Sequence, residues 1–268
     1  MRFDHTAVLA NLCWTTFLAA AQTTPAPSDY DQGAALIQKN QFAAAIPFLN
    51  RTVESHPKDA RAWKALGVAY AAQGMFELAE HPFGQACKLD PKLDDACYFY
   101  GRALYTLNRF QPSLEVLANA LRNNGKDWKV RLGVAQALEA LGEAGRAEAE
   151  FRESLADSRG TDPRPGTAYG LFLVRQGRFR EAIVPLQDVL SRFPESPDAH
   201  IHIGRALTEL GRNQEASAHF EEAVRLDPTS AQAHLLLGKA YLRAGRQAEA
   251  ASHLEAAARY EAGSRTVR

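Results

Sequence analysis

Apolar residues recur along this chain at the three-and-four spacing of amphipathic helices, as in the segment from Ala79 to Leu89. In each such segment a small residue is followed four positions later by a large apolar one. This pair returns at steps of 34, 34, 34, 35, 34 and 34 residues. The pairs are Ala45/Leu49, Ala79/Phe83, Ser113/Leu117, Ala147/Phe151, Ala182/Leu186, Ala216/Phe220 and Ala250/Leu254. Seven copies at one period predict an array of repeats rather than a single globular core.

A second position of each repeat holds only glycine or asparagine. It lies five residues before the small residue of the pair, at Asn40, Gly74, Asn108, Gly142, Gly177, Gly211 and Gly245. Helices commonly end on a residue in the left-handed conformation, which glycine adopts freely and asparagine tolerates. Each repeat is therefore predicted to contain a first helix, a tight turn at this position and a second helix.

Glycine also recurs within the predicted first helix. The positions are Gly33, Gly67, Gly101, Gly170, Gly204 and Gly238, with Ala135 as the exception. Glycine inside a helix costs roughly 1 kcal/mol relative to alanine, so we expect a close approach between two helices to offset that cost. Proline cannot continue a helix interior and marks the end of a unit at Pro57, Pro91, Pro194 and Pro228.

The second repeat resembles the tetratricopeptide repeat (TPR) in all its marker positions. The residues that carry the resemblance are Trp63, Leu66, Gly67, Tyr70, Ala79, Phe83 and Pro91. The resemblance implies an all-α fold, an α-solenoid in which about seven helix–turn–helix units form a right-handed superhelix with a concave inner face. Each unit of such an array needs only its neighbours to bury its apolar surface.

Residues 1–21 precede the repeats and are predicted to be a secretory signal peptide. A basic start is followed by a largely apolar run from Ala7 to Ala21 that ends in small residues. That run of about 15 residues is shorter than the roughly 20 of a membrane helix, so no membrane span is expected after cleavage. The alternative is a frayed apolar N-terminus. The first interpretation places the protein in the periplasm or outside the cell, the second in the cytoplasm.

The remaining chain is divided as follows. Residues 22–27 are predicted to be a linker, 28–261 the repeat array and 262–268 a tail. The units run at about 26–59, 60–93, 94–127, 128–162, 163–196, 197–230 and 231–261. Two prolines and two glycines within Ser158–Gly166 predict a looser joint between units four and five. The last helix is expected to expose small apolar residues and Leu254, which leaves a homodimer through the last repeat open.

In TPR proteins, positions 2, 5, 9, 12 and 13 of the first helix line the concave groove. The basic residues at these positions are Arg61, Lys64, Arg102, Lys129, Arg164, Arg175, Arg205, Lys239 and Arg243. The acidic ones are Asp95, Glu139, Asp198 and Glu209. Nine against four is a basic bias in a chain with 31 basic and 31 acidic residues, and this overall balance predicts no nucleic-acid partner.

This groove is the predicted binding site, with Tyr30, Tyr98 and Tyr105 as aromatic anchors. We expect it to take an extended or helical peptide that carries acidic groups, because arginine pairs carboxylates bidentately. The alternative is a solvated inner wall whose charges keep the superhelix open. The carboxylate clamp of chaperone-binding TPR domains is not expected, since Val68 replaces the asparagine it needs beside Lys64.

Two cysteines follow the predicted signal, Cys87 and Cys97. They flank the boundary between two helices, so they form either a disulfide, which export would favour, or two small buried side chains. Histidines also repeat. His200 and His234 share one position of their units, and His219 and His253 share another. Duplication of units six and seven explains this repetition, so no metal site is predicted.

The sequence contains none of the phosphate-loop, zinc-protease or nucleophile-elbow motifs, and no catalytic residue and no cofactor are predicted. We therefore expect a non-enzymatic scaffold that brings protein or peptide partners together. The alternative function is an accessory subunit of an envelope or polysaccharide-export complex, which docks through its convex face or its uncapped C-terminal end.

Overall fold

The computed structural model describes residues 27–93, 95–123 and 125–266, so the predicted signal peptide and most of the linker lie outside the described residues. Within these ranges the chain forms fourteen α-helices and no strand. The helices are α1 (Asp29–Gln38), α2 (Phe42–Ser55), α3 (Ala60–Ala71), α4 (Phe76–Leu89), α5 (Ala96–Thr106), α6 (Phe110–Asn123), α7 (Trp128–Ala140), α8 (Ala144–Ser158), α9 (Arg164–Arg175), α10 (Phe179–Arg192), α11 (Pro197–Glu209), α12 (Asn213–Leu226), α13 (Ala231–Arg243) and α14 (Gln247–Thr266).

The helices are arranged as an α-solenoid, which confirms the predicted fold class. Each helix packs against the next one along the chain. First helices of neighbouring units also contact one another, as α1 does α3, α5 does α7 and α9 does α11. Second helices of neighbouring units show no comparable contact within the described ranges. The odd-numbered helices therefore lie side by side on the inner face, and the even-numbered helices spread over the outer face.

The turns between the two helices of each unit have the predicted backbone conformation. All seven turn residues have a positive φ, from 57° at Asn40 to 81° at Gly142. The amide of the turn residue donates to a carbonyl of the last helical turn, as Gly74 does to Ala71 at 2.9 Å. Glycine and asparagine are therefore placed where the chain must leave the helix in the left-handed region.

The glycines of the first helices lie where two helices approach closely. A Cβ built on Gly67 would lie 2.5 Å from the ring of Phe83, and one on Gly101 would lie 2.4 Å from Leu117. In each unit that has this glycine, the partner is the large apolar residue of the same unit's pair. The expected close approach is confirmed, and a side chain at the glycine would displace a buried core residue.

The joint between units four and five is packed, although α8 and α9 contact each other less extensively than the two helices at any other joint, in line with the predicted looser connection. Arg159 and Gly160 both adopt positive φ, at 50° and 66°, and this backbone path accommodates the additional residue. Across the joint the rings of Phe151 and Phe172 lie 5.0 Å apart, and the Tyr169 hydroxyl accepts a hydrogen bond from Nε of Arg152 at 2.9 Å. One core cluster continues from α6 through α8 and α9.

The C-terminal end differs from the expectation in two ways. Helix α14 continues to Thr266, five residues past the predicted end of unit seven at residue 261. Ala257 is only 6% exposed, and the Leu254 side chain packs over Gly238 of α13. Ala257 is therefore buried, whereas Leu254 packs over α13 and stays partly exposed, in part as expected.

Cys87 of α4 and Cys97 of α5 form a disulfide bond, with their Cα atoms 4.7 Å apart. The structure thus decides between the two alternatives that the sequence left open. The bond links the end of unit two to the start of unit three, where the chain passes from an outer to an inner helix. No helix of the described residues is long and apolar enough to span a membrane.

Candidate functional site

The inner face carries the predicted binding residues. All eleven cationic and aromatic candidates in units two to seven lie on odd-numbered helices, from α3 to α13. Tyr30 lies on α1, where the guanidinium of Arg61 is 5.4 Å from its ring centroid. The helices therefore bring the candidates to one face of the solenoid, although they are spread over more than 180 residues of sequence.

In units two to four, two of the cations of this face already have carboxylate partners. Arg61 pairs with Asp59 at the start of α3, and Lys129 of α7 pairs with Asp95 at the start of α5, both at 3.5 Å. The predicted acidic residue Asp95 thus neutralises a predicted binding residue. Lys64 lies half-buried in α3. An incoming ligand would have to replace these internal partners before it could use the charges.

Arg164 is held most firmly. Its guanidinium donates from Nε and Nη2 to the two carboxylate oxygens of Asp162, at 2.9 and 2.8 Å, and its centre lies 4.7 Å from the ring centroid of Trp128. This hydrogen-bonded guanidinium holds the pKa of Asp162 below its usual range. The bidentate bond and the stacked ring together fix the direction of the side chain.

The two tyrosines of α5 are also engaged within the protein. Arg102 donates from Nη1 to the hydroxyl of Tyr98 at 3.1 Å, and its guanidinium lies 5.8 Å from that ring. Tyr105 packs against the ring of Phe110 with centroids 5.3 Å apart. Both tyrosines are half-buried against the central core cluster. Their main contribution is to the packing between units three and four.

Units six and seven present a different arrangement. Arg205 of α11 and Lys239 and Arg243 of α13 form no ion pair and no hydrogen bond with any residue that the structure describes. Arg175 of α9 lies next to them and pairs with Glu139 of α7 at 3.1 Å. The basic bias of the groove is therefore compensated in its N-terminal part and uncompensated in its C-terminal part.

These cations surround a cavity of about 440 Å³ between α9, α11 and α13, which we call the C-terminal pocket. Four of its lining residues are basic and one is acidic. The full lining is Val174, Arg175, Phe179, Arg205, Thr208, Glu209, Phe220, Leu236, Lys239 and Arg243. The pocket combines apolar walls with a positive rim, an arrangement suited to a ligand that has both apolar and acidic groups.

Exposed leucines extend the apolar surface beside the pocket. Leu235 is 38% exposed and Leu242 is 50% exposed, and both occupy groove positions of α13. They lie on the same helix as Lys239 and Arg243. A single large exposed apolar side chain is ordinary, but two of them next to unpaired cations on an inner face indicate a surface made for contact.

A histidine lies beneath the unpaired cations. His202 of α11 is 8% exposed, and its Nδ1 is buried without a hydrogen-bond partner. Burial lowers the pKa of His202 to about 4, and the positive charges of Arg205 and Arg175 act in the same direction. The imidazole therefore stays neutral at pH 7, since a charge there would be both desolvated and repelled.

Sequence reasoning found the cations of the C-terminal pocket and missed its apolar lining. Phe179 begins a second helix and Leu236 lies next to a groove position, so neither belongs to the set that faces the groove by register alone. Leu235 and Leu242 do occupy groove positions, and that signal was available. Whether each cation has an ion-pair partner could not be predicted from the sequence, because partners such as Glu139 and Arg175 are distant in sequence.

The architecture and the repeated glycine and turn positions define a helical repeat protein, and comparison with known families identifies which one. Tetratricopeptide repeat profiles match residues 30–94, 101–163 and 173–219, and a TPR repeat profile matches 204–245. The chain belongs to the tetratricopeptide repeat family, as the resemblance predicted. The described residues contain no group of three histidine, cysteine or carboxylate side chains arranged to hold a metal ion.

Several known proteins are similar to the chain. Superkiller protein 3 of Schizosaccharomyces pombe is 27% identical over 126 residues, which make up 47% of this chain and 9% of that protein. The chain thus spans a small part of that relative's length. A chain of the APC/C Cut9–Hcn1 hetero-tetramer matches with a TM-score of 0.70 at 18% identity, over 85% of this chain and 45% of that one. A TPR protein from Parabacteroides merdae matches with a TM-score of 0.72 at 16% identity, over 87% and 91%. Identities this low demonstrate the shared fold alone.

Proposed function

We propose that this TPR protein is a non-enzymatic interaction scaffold that binds an acidic, partly apolar segment of a partner protein at the C-terminal pocket. The observation that carries the proposal is the set of three unpaired cations, Arg205, Lys239 and Arg243, around an apolar cavity. The TPR fold itself suggests a protein-interaction scaffold. One structural neighbour is part of a hetero-tetramer, in keeping with this role.

Charge and shape together favour this ligand class. Arginine pairs a carboxylate with two parallel hydrogen bonds, which fixes the orientation of the bound segment as well as its charge. The apolar walls and the exposed leucines of α13 would cover apolar side chains between the carboxylates. Units two to four offer less to such a ligand, because their cations would first have to give up an internal partner.

A direct test measures fluorescence anisotropy of a labelled peptide in which glutamates flank two leucines. Neutralising the unpaired cations in an Arg205→Gln, Lys239→Gln double variant is expected to weaken binding about tenfold, since charged hydrogen bonds contribute about 1.5–3 kcal/mol each before screening. The matched control is the Arg61→Gln, Arg164→Gln double variant, whose cations are paired. Its affinity should stay within about twofold of the wild type.

The outcome also addresses the alternative function. Equal affinity of the wild type and both double variants would contradict the proposed site. The accessory-subunit proposal would then gain support, with docking to an envelope or polysaccharide-export complex through the convex face. A matched peptide with glutamine in place of glutamate separates the two contributions of the ligand. It should bind more weakly if the carboxylates are recognised, and equally well if only its leucines matter.

We also propose that the protein is exported to the periplasm or secreted. The apolar run of residues 1–21 supports the proposal, and so does the Cys87–Cys97 disulfide, since disulfides persist in oxidising compartments. Fractionation of cells followed by N-terminal sequencing tests it. A mature chain that begins near residue 22 in the periplasmic fraction is expected, and an uncleaved chain in the cytoplasm would contradict it.

The homodimer through the last repeat remains a prediction with less surface to support it. Ala257 is buried and Leu254 is partly buried over α13, while small residues such as Ala251 and Ala258 are exposed. Sedimentation at several concentrations tests it: a size that rises with concentration would indicate assembly, and a constant monomer mass would exclude it.

A further inference from the structure

Units six and seven each contain a pair of histidines that joins their two helices. In unit seven, Nδ1 of His234 on α13 lies 2.9 Å from Nδ1 of His253 on α14. In unit six, Nδ1 of His200 on α11 lies 3.0 Å from Nδ1 of His219 on α12. Both distances are those of a hydrogen bond. In each pair one of the two facing nitrogens must therefore carry a proton, and the other must accept it.

A neighbouring carbonyl determines which nitrogen carries that proton. Nε2 of His234 lies 3.0 Å from the carbonyl oxygen of Pro228. A carbonyl only accepts, so this Nε2 is protonated and Nδ1 of the neutral ring is an acceptor. His253 must then donate from Nδ1. In unit six the Pro194 backbone acts on His200 in the same sense, which favours His219 as the donor of that pair.

Acidification conflicts with this arrangement. A first additional proton can be taken up by the donor ring of a pair at its other nitrogen, which leaves the N–H···N bond intact. A second proton has to bind Nδ1 of the acceptor ring. Two N–H groups on two cations would then face each other across about 3 Å, and the pair would separate. At acidic pH each folded pair therefore holds one proton fewer than the same two histidines in the unfolded chain.

Other units fill the same positions without a histidine pair. Nε1 of Trp63 donates to the carbonyl of Pro57 at 2.9 Å in unit two. In unit four, Arg131 donates to the carbonyl of Gly125 at 2.9 Å and pairs with Glu150 at 3.0 Å. These contacts hold the first helix to the chain that precedes it. Among the described residues, only units six and seven make this contact with a histidine.

Charged groups around the pairs do not offset the repulsion between two protonated histidines. The nearby groups are Glu222 and Arg225 for His200, Glu215 for His219, and Glu221 and Glu249 for His253, with the Tyr241 and Tyr260 rings packed beside the pair of unit seven. Burial lowers the pKa of His200, His219 and His253, and for the last two the paired histidine lowers it further. No third ligand joins either pair in a metal-holding arrangement within the described residues, so a proton is the ligand that the geometry supports.

We infer that the two histidine pairs form a pH switch, in which acidification separates the helices of units six and seven and, if the proposed function holds, releases the partner from the C-terminal pocket. Within the described residues, units six and seven follow all the others, and unit seven contacts a neighbouring unit on one side only. Loss of the pairs would therefore open this end while the preceding units remain folded. Arg205, Lys239 and Arg243 all lie on helices that would be affected.

The direction of the pH dependence follows from proton linkage. The folded pairs bind fewer protons than the unfolded chain, so their contribution to stability is complete above the unfolded histidine pKa of about 6.5 and declines as the pH falls below it. One excluded proton per pair corresponds to an opening constant that rises about tenfold for each pH unit below that value. His202 acts in the same direction, down to a pKa of about 4.

Amide hydrogen exchange at about pH 7.5 and about pH 5.5, corrected for the intrinsic rate, tests the switch without any ligand. Exchange in α11–α14 is expected to become at least about tenfold faster at the lower pH, while α3–α8 keep their protection. In a His202→Leu background, which removes the contribution of His202, a His219→Gln, His253→Gln double variant should lose this response, since a glutamine amide can turn to accept from a protonated imidazole. The control His56→Gln, His81→Gln should retain it.

A second variant covers the case in which the glutamine protein folds poorly. His200→Arg with His219→Glu, and His234→Arg with His253→Glu, copy the Arg131–Glu150 pair of unit four and should also remove the response. Equal loss of protection in all units, or an unchanged response in both sets of variants, would overturn the switch. Imidazole NMR at neutral pH adds a direct readout: Nδ1–H on His253 and Nε2–H on His234 are expected, and the reverse would contradict the assigned proton positions.

Peptide release separates this inference from the proposed function. With the glutamate–leucine peptide, the wild type should bind at about pH 7.5 and lose affinity at about pH 5.5, where glutamate remains ionised. The glutamine variant should bind at both. A faster exchange at low pH without peptide binding at any pH would retain the switch and contradict the proposed ligand. Binding that is equal at both pH values, with a normal exchange response, would show that the switch does not control the pocket.

Discussion

The inner face of this solenoid carries cations along its length, but its two parts hold them in different states. Up to the start of unit five, Arg61 and Arg164 are paired with aspartates that lie just before their own helices. In the C-terminal part, Arg205 and Lys239 have no such partner among the described residues. The fold is the same in both parts, since the glycine, turn and core positions repeat throughout.

This comparison teaches that a count of groove charges overstates the size of a binding site. An exposed ion pair stabilises a protein by only about 0–1 kcal/mol, but it occupies the hydrogen-bond donors that a ligand needs. A ligand gains most where the cations are unpaired and apolar surface is close. By that criterion the proposed ligand site begins near Arg175, which pairs with Glu139 and also lines the C-terminal pocket.

The largest expected effect concerns the disulfide, which constrains the N-terminal part only. A Cys87→Ala, Cys97→Ala double variant should lose about 3 kcal/mol of unfolding free energy, because the bond closes a short loop in the unfolded chain. Thermal melting measures the loss. Reductant should lower the melting temperature of the wild type by the same amount and leave the variant unchanged; a wild type insensitive to reductant would contradict this account.

The second effect is the destabilisation caused by a large side chain at the recurring glycine. It should be equal in both parts if they share one packing arrangement. Gly67→Leu and Gly204→Leu should each destabilise the protein by roughly 1–3 kcal/mol, since their side chains would overlap Phe83 and Phe220. Chemical denaturation measures both. Gly145→Ala is the matched control, because a Cβ there meets no neighbouring atom. A neutral result at either leucine variant would remove the close-approach explanation of the glycine positions.

The third prediction concerns His202, which has no counterpart in the N-terminal part. Its pKa in the folded protein is about 4, below the 6.5 of the free group, so the protein loses stability as the pH falls through that window. The loss should be about 1.4 kcal/mol per pH unit at most. His202→Leu should remove the part of the slope that His202 contributes, leave the part that comes from the two histidine pairs, and relieve a buried, unpaired Nδ1. Denaturation curves at several pH values check it; an unchanged slope would contradict the assignment.

The smallest expected effect is a difference in unfolding free energy between loss of a paired cation and loss of an unpaired one. Arg164→Gln should cost about 0.5–1 kcal/mol, because it breaks a bidentate bond and a stacking contact over Trp128. Lys239→Gln should be neutral within about 0.5 kcal/mol, since no partner is lost. Melting of the two variants under one condition is sufficient. Equal losses would indicate that Lys239 has a structural role.

The fold could be predicted from the sequence because its determinants are local and periodic. Asn40 and Gly142 reveal the turns through their residue type, and Gly67 reveals a helix contact through its recurrence at the repeat period. The charge pattern was visible too, but the compensation was not, since Glu139 reaches Arg175 from another unit. The pairing of His234 with His253 depends on two helices whose relative rotation the repeat period does not specify.

One local expectation was wrong because it relied on residue type without packing. Small residues such as Ala257 were expected to be exposed at the end of the array, yet Ala257 is only 6% exposed. Proline and glycine around residues 158–166 indicated a looser joint, and α8 and α9 do contact each other less than the helices at the other joints, although Phe172 of α9 continues the core across it. In both cases long-range contacts determine the burial.

The central claim is that ligand recognition belongs to units five to seven, and an exchange footprint tests it most directly. Amide exchange of the wild type is measured at about pH 7.5, with and without a saturating amount of the glutamate–leucine peptide. The account predicts that the peptide protects α9, α11 and α13 and leaves α3, α5 and α7 unchanged. Protection centred on α3 to α7 would contradict it, because the ligand would then have displaced the internal partners of Arg61 and Lys129.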